Sequence, residues 1–212
     1  MEYPQPMSET PISPDALWAV EWRDEDQVFT AIEPTDAEIA GAASELAGYY
    51  SDAHNRRMMA HEEEAFTSEA VAAYYRELRD DGGRPFLLLQ SAAGAASLVG
   101  DGDLRNIEDG TAEVAIMIGA RNVQGRGLGT RYAIMLHVFA FQVLGLERLY
   151  ISVIPANAAS RRLFEKLGYE IDDSPEARDL IDDETDVTMS VSRARFESTV
   201  AASLPGIRTA KR

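Results

Sequence analysis

The run Gln124-Gly125-Arg126-Gly127-Leu128-Gly129-Thr130 constrains this chain more than any other stretch. An apolar, strand-like segment, Thr111 to Ile118, precedes it, and an amphipathic stretch from Leu128 to Leu144 follows. The first amides of a helix have no acceptor within the helix and point outward. The macrodipole adds partial positive charge at the same end. Glycines remove the Cβ atoms that would hold a ligand off the main chain. Strand, glycine loop and helix in this order predict a seat for phosphate or another anion.

The rest of the chain decides which fold surrounds that seat. Pro4, Pro6, Pro11 and Pro14 mark a loose start, and Asp15 to Val20 reads as a short helix. Gln27 to Ile32 reads as a strand, and Glu33-Pro34-Thr35-Asp36 as a turn and N-cap before a helix carrying Ile39, Ala42, Ala43 and Leu46. Ser68 is a candidate N-cap for a helix to Asp80. Pro85 to Gln90 and Ala95 to Val99 read as paired strands, and Asp101 to Gly110 as a turn region. After the glycine loop and its helix, Leu149 to Ile154 is an apolar strand, and Asn157 to Ser160 opens a short helix that Gly168 ends. Tyr169 to Ile171 and Asp186 to Val191 read as a closing pair, and Ser192 onward as a surface helix with a frayed basic end. A doubly wound dinucleotide fold would alternate strand and helix throughout, whereas here the glycine loop follows an antiparallel meander.

Three phosphate ligands compete for the loop. A nucleoside triphosphate loop would end in Gly-Lys-Ser or Gly-Lys-Thr, and this one ends Gly127-Leu128-Gly129-Thr130. A dinucleotide site would space its glycines G-x-G-x-x-G and carry an acid ~20 residues on. The spacing here is G-x-G-x-G, and Met135 to Leu146 offers no acid. The third ligand is the pyrophosphate of coenzyme A. Gln124, Gly127 and Gly129, with Gly125 as a common extra, resemble the pyrophosphate motif of the GNAT superfamily of N-acetyltransferases. The run from Ile154 through Asn157, Ser160 and Phe164 to Leu167-Gly168-Tyr169 is similar to that superfamily's downstream element, in the branch of ribosomal-protein N-terminal and spermidine acetyltransferases.

This resemblance implies an α/β (α+β) three-layer fold with a mixed, mostly antiparallel central sheet of about six or seven strands flanked by helices. It implies an acetyltransferase domain over 23–195, between a loose extension over 1–22 and a tail over 196–212. It implies acetyl-CoA as cosubstrate, with the pantetheine arm paired to backbone near Met117 and Ile118. Gln124, Gly125, Arg126, Gly127, Gly129 and Thr130 then hold the pyrophosphate, and Asn157 and Ser160 contact the coenzyme. Glu113, at the start of the central strand, is the candidate general base. The position where many members carry a general-acid tyrosine is Phe164 here. The implied reaction is direct attack of a primary amine in a ternary complex, the acceptor being a small cationic amine or a protein N-terminus. The alternative is a non-catalytic acyl-CoA-binding module.

Composition narrows partners. The chain has 212 residues and no cysteine, which excludes disulfides, thiolate metal sites and an acyl-cysteine intermediate. A net charge of -16 argues against nucleic acid and anionic membrane surfaces, and suits a cationic substrate. No apolar run reaches the ~18 residues of a membrane span, so a cytoplasmic location is expected. No metal spacing is present. A homodimer is a candidate assembly. His54, His61 and Glu62 to Glu64 fall in the region expected to cap the substrate side, while His137 reads as packed within its helix.

Overall fold

The computed structural model describes residues 16–24, 27–59, 66–92, 95–180 and 184–212. Its centre is one sheet of nine strands: β1 Trp18–Asp24, β2 Gln27–Ile32, β3 Arg84–Ala92, β4 Ala95–Glu108, β5 Thr111–Ile118, β6 Arg148–Val153, β7 Glu170–Ile171, β8 Val187–Ser192 and β9 Ile207–Lys211. They lie in the order β7-β8-β6-β5-β4-β3-β2-β1-β9. Every pairing is antiparallel except β5 with β6.

Two strands beyond the expected six or seven are the outer ones. Within the segment Asp15 to Val20, the described residues from Ala16 on open no helix. Trp18 and Val20 are buried and Trp22 packs against the same core, so the apolar residues fall at every second position and the segment pairs as β1. Residues 196–212, read as a tail, carry the end of a helix and then β9, which pairs with β1 from Trp18↔Lys211 to Trp22↔Ile207. Only Ile207 of β9 is buried, so its place comes from backbone pairing more than from apolar pattern.

Helices cover both faces. On one lie α1 Asp36–Ser51, α2 Ala53–Met58 and α3 Ser68–Asp80. Thr35 caps α1 in a capping box with Glu38, as the turn chemistry predicts, and Thr67 rather than Ser68 caps α3. Ile39, Ala43, Leu46, Val71 and Tyr75 pack there on Leu87. The opposite face carries α4 Leu128–Val138, extended by a π-helical turn Phe139–Val143, then α5 Ala158–Lys166 and, after the short α6 Pro175–Arg178, α7 Arg193–Thr199. The larger core lies under this second set, around Tyr132, Leu136, Phe139, Phe141 and Phe196.

β4 departs most from expectation, since Asp101 to Glu108 continues the strand instead of turning. The reversal comes at Asp109 and Gly110, with φ of 47° and 77°. Gly100 and Gly102 permit this course. A Cβ on Gly100 would lie 1.9 Å from the Met117 carbonyl oxygen of β5. Only glycine allows that approach.

Candidate active site

β5 and β6 are paired over three positions only, Thr111↔Arg148, Ala112↔Leu149 and Glu113↔Tyr150. Beyond them each strand runs on with its outer neighbour. β5 stays paired to β4 as far as Gly100↔Ile118, and β6 to β8 as far as Val153↔Val187. The sheet therefore opens between Val114–Ile118 on one side and Ile151–Val153 on the other. Main-chain groups along this opening lack a partner strand and suit an extended ligand added as a strand, except the Ile118 carbonyl, which accepts from Gln124.

The glycine loop closes the wide end. From Ile118 the chain passes through a 3-10 turn at Arg121–Val123 to Gln124 and reaches α4 at Gly127. Gly125 and Gly127 have φ of 74° and 81°. At neither position would an added Cβ meet a heavy atom within 4 Å, so the sign of φ, and not crowding by protein, calls for glycine. Gly129 differs, because a Cβ there would meet Leu163 at 2.9 Å, and it seats α4 on α5. No side chain caps α4, and its first main-chain bond runs from Arg131 N to the Gly127 carbonyl. The amides of Leu128, Gly129 and Thr130 thus head the helix. Arg126 is exposed beside them and Thr130 is half-buried.

Gln124 fixes this geometry from inside. Its Nε2 donates to the Ile118 carbonyl at 2.5 Å and to Asn55 Oδ1 at 3.0 Å, and Arg121 donates to its Oε1. Asn55, buried in α2, donates in turn to the carbonyls of Tyr49 and Gly119 at 2.9 and 3.0 Å. Sequence reasoning missed Asn55, since a lone asparagine in a mixed polar stretch carries no local signal of a contact 64 residues away.

Asn157 is the N-cap of α5. Its Oδ1 accepts from Ser160 N at 3.0 Å, and its Nδ2 donates to the Met58 carbonyl at 3.0 Å. Ser160 supplies the amide that this cap satisfies. Phe164 is buried at 3% exposure, against Tyr169 and His137, at ring separations of 5.1 and 6.3 Å. His137 is fully buried. Its Nδ1 lies 2.6 Å from the Ala133 carbonyl and its Nε2 2.7 Å from the Tyr169 hydroxyl, so a proton on Nδ1 satisfies both. Burial pulls its pKa down to about 4, which keeps it neutral and structural.

Glu113 lies on the sheet face under α1 and α3. Its Oε2 is 3.6 Å from Arg105 Nε and 3.4 Å from Asn106 Nδ2. Register places Arg105 opposite Glu113, Asp103 opposite Ala115 and Asp101 opposite Met117. Asp101 and Asp103, at 4% and 7% exposure, extend the carboxylate row under a roof of tyrosines. Tyr50 and Tyr75 donate to Asp101 Oδ2 at 2.5 and 2.9 Å, and Tyr74 donates to Asp103 Oδ2 at 3.1 Å. Arg105 Nε lies 3.0 Å from Asp103 Oδ1. Burial raises both aspartates above the ordinary carboxylate range, Asp101 to about 7. This row was not foreseen, because Asp-Gly-Asp reads as turn chemistry.

His54 is exposed in the first turn of α2. His61 and Glu62 to Glu64 lie outside the described residues. Among the described residues no cluster of three or more histidine or acidic side chains is arranged to hold a metal ion, and no helix is long and apolar enough to cross a membrane.

Comparison with known proteins joins these features. The family model for the acetyltransferase (GNAT) domain matches residues 28–170. No curated protein matches the sequence. Similar solved structures include a domain from Methanocaldococcus jannaschii, with a TM-score of 0.65 at 17% identity over 79% of this chain and 99% of that one. RimJ of Mycobacterium smegmatis, solved with CoA-disulfide, has a TM-score of 0.65 at 14% identity, over 92% of this chain and 97% of its own. Spermidine N-acetyltransferase of Vibrio cholerae, solved with CoA and spermine, has a TM-score of 0.62 at 18% identity, over 82% and 99%. At these identities the likeness is one of fold.

Proposed function

The chain belongs to the GNAT acetyltransferase family, and from that premise we propose that it transfers the acetyl group of acetyl-CoA to a primary amine by direct attack in a ternary complex. The observation that carries this reading is the opening between β5 and β6, which ends at the uncapped start of α4. The pantetheine arm lies in the opening, paired with the main chain near Met117 and Ile118. Its pyrophosphate sits on the amides that follow Gly127, within the loop Gln124, Gly125, Arg126, Gly127, Gly129 and Thr130. Asn157 and Ser160 border the arm from α5.

An N–H near Ile118 faces the thioester oxygen and stabilises the negative charge that grows there. Glu113, at the base of the opening, draws in the cationic acceptor. An alkyl ammonium has a pKa of ~10.4, so a base is needed at neutral pH. The leaving thiolate is a weaker demand, since free thiols titrate near ~8.5. Departure without a tyrosine acid is consistent with the buried ring at Phe164. The overall charge of -16 favours a cationic small amine as acceptor.

The buried Phe164 also supports a second reading, a module that binds acyl-CoA without turnover. Calorimetry with CoA and a thiol-release assay with primary amines separate the two. The enzyme reading expects binding and amine-dependent release. Gly127→Glu places an anion and a strained φ where the diphosphate sits, and should weaken CoA binding at least ~100-fold while leaving the fold intact. Unchanged affinity removes the loop from the site. Binding without release on any amine establishes the module.

A further inference from the structure

On the transferase reading, from which this inference proceeds, acetyl transfer to an amine has protons to dispose of. An ammonium has no lone pair, so one proton must leave the nitrogen before attack. The N–C bond then forms and the C–S bond breaks, with the electron pair leaving on sulfur. A second nitrogen proton ends on that sulfur, giving amide, thiol and one released proton.

Glu113 is badly placed to take the first proton directly. It lies four residues from Met117 along β5, about 13 Å in an extended strand. Its carboxylate also faces Arg105 and Asn106. Asp101 is the cross-strand partner of Met117 and so stands level with the end of β5 where the thioester is placed. Two hydroxyls bond its Oδ2, while its Oδ1 is buried with no hydrogen-bond partner among the described residues. The groups around it are Tyr50 from α1, Tyr74 and Tyr75 from α3, Asp103 and Arg105 of β4, and Glu113 of β5. The one cation in this set, Arg105, pairs with Asp103 and Glu113. A buried carboxylate with an unbonded oxygen and no cation of its own gains by taking a proton.

The end of α1 supplies the route. The Tyr49 ring stands over Gly119, where an added Cβ would come within 2.4 Å of it, and Tyr50 follows directly, half-buried against Phe66. α1 thus ends above the last residues of β5.

We propose that Asp101, reached through the Tyr50 hydroxyl, takes up the proton that the acceptor amine sheds. The amine's proton passes to Tyr50 Oη as the phenol's own proton moves to Asp101 Oδ2, so the tyrosine begins and ends neutral. Asp101 returns the proton to solvent between turnovers. Burial holds Asp101 at about 7, opposed by the hydrogen bonds from Tyr50 and Tyr75 and reinforced by the charge of Asp103. Uptake therefore works above about pH 7 and fails below it, and this carboxyl, not Glu113, sets the pH dependence near neutrality.

The test is the pH profile of kcat/KM from about pH 5.5 to about pH 9, by thiol release from acetyl-CoA. The probes are 1,4-diaminobutane, spermidine, an aminoglycoside and a peptide with a free N-terminus, the fastest carrying the series. Wild type should rise through a midpoint near 7. Asp101→Asn should lose that limb and fall about 100-fold at the plateau, with CoA affinity unchanged. Tyr75→Phe removes a hydrogen bond that favours the carboxylate but leaves the Tyr50 route, so its limb should move to higher pH. Carboxyl-carbon NMR of aspartate-labelled wild type and Tyr75→Phe should show the same displacement, even if Asp101→Asn folds poorly. A limb that persists in Asp101→Asn, that stays put in Tyr75→Phe, or that vanishes in Glu113→Gln instead, overturns the proposal. Wild type that turns over none of these amines overturns the transferase reading beneath it, a result distinct from an unaltered limb.

Discussion

The two faces of the sheet solve the problem of burying polar groups in opposite ways. Under α4, α5 and α7 the buried imidazole of His137 is neutral, satisfied at both nitrogens and stacked 5.1 Å from Phe196. Under α1 and α3, Asp103 shares one arginine with Glu113, and Asp101 keeps an oxygen without a hydrogen bond. On the first face the imidazole's own hydrogen bonds are complete, although Trp18 Nε1 in the same core is buried without a hydrogen-bond partner among the described residues. The second carries an electrostatic cost that packing alone does not require. A carboxylate raised by burial and also by a like charge beside it, as Asp101 is by Asp103, is the pattern found more often where chemistry is done, whereas His137 is lowered by burial alone. On the proposed function, proton transfer falls to the α1–α3 face and coenzyme binding to the start of α4.

Experiments on stability can break that contrast. Phe164→Ala should cost the most, about 3–5 kcal/mol, by leaving a void among His137, Tyr169 and their neighbours. Urea unfolding checks it, and a loss under ~1 kcal/mol would mean that Phe164 faces the opening instead of the core. Asp101 comes next. Its folded pKa, about 7, lies above the ordinary 3.8, so its proton favours the fold, and that contribution is lost as pH rises from about 4 through about 7. Relative to Asp101→Asn, wild type should lose on the order of 3 kcal/mol across that window. His137 has the opposite sign. Its folded pKa, about 4, lies below 6.5, so its contribution is whole above 6.5 and is lost as pH falls toward 4. The loss should be roughly 2–3 kcal/mol, and His137→Gln should flatten it. Parallel slopes for the two residues would erase the distinction between the faces.

The site's framework could be read from the chain because its signals are local. The order strand, glycine loop, helix needs no tertiary information, and Gly125 and Gly127 adopt the positive φ that marks such a loop. The short helix opened by Asn157 is equally local, since an asparagine three residues before Ser160 is N-cap chemistry. What escaped depends on distant partners. Asp101-Gly102-Asp103 resembles a turn until Tyr50, Tyr74 and Tyr75 arrive from two helices to cover it. β9 has one buried side chain, so nothing in its pattern announces a strand, and β1 supplies its hydrogen bonds from the far end of the sequence. Asn55 holds the turn after β5 through a contact that no spacing rule encodes.

Where β5 runs on without β6, it divides its labour by atom type. Alternate side chains belong to opposite layers, with Val114, Ile116 and Ile118 in or against the larger core and Ala115 and Met117 beside Asp103 and Asp101. The edge toward the opening is left to amides and carbonyls, which every residue except proline supplies alike. Grip on a guest along that edge is therefore almost indifferent to sequence. On the proposed function, acceptor preference can drift through one set of side chains, and folding robustness through the other, while the hold on a shared donor stays as it is.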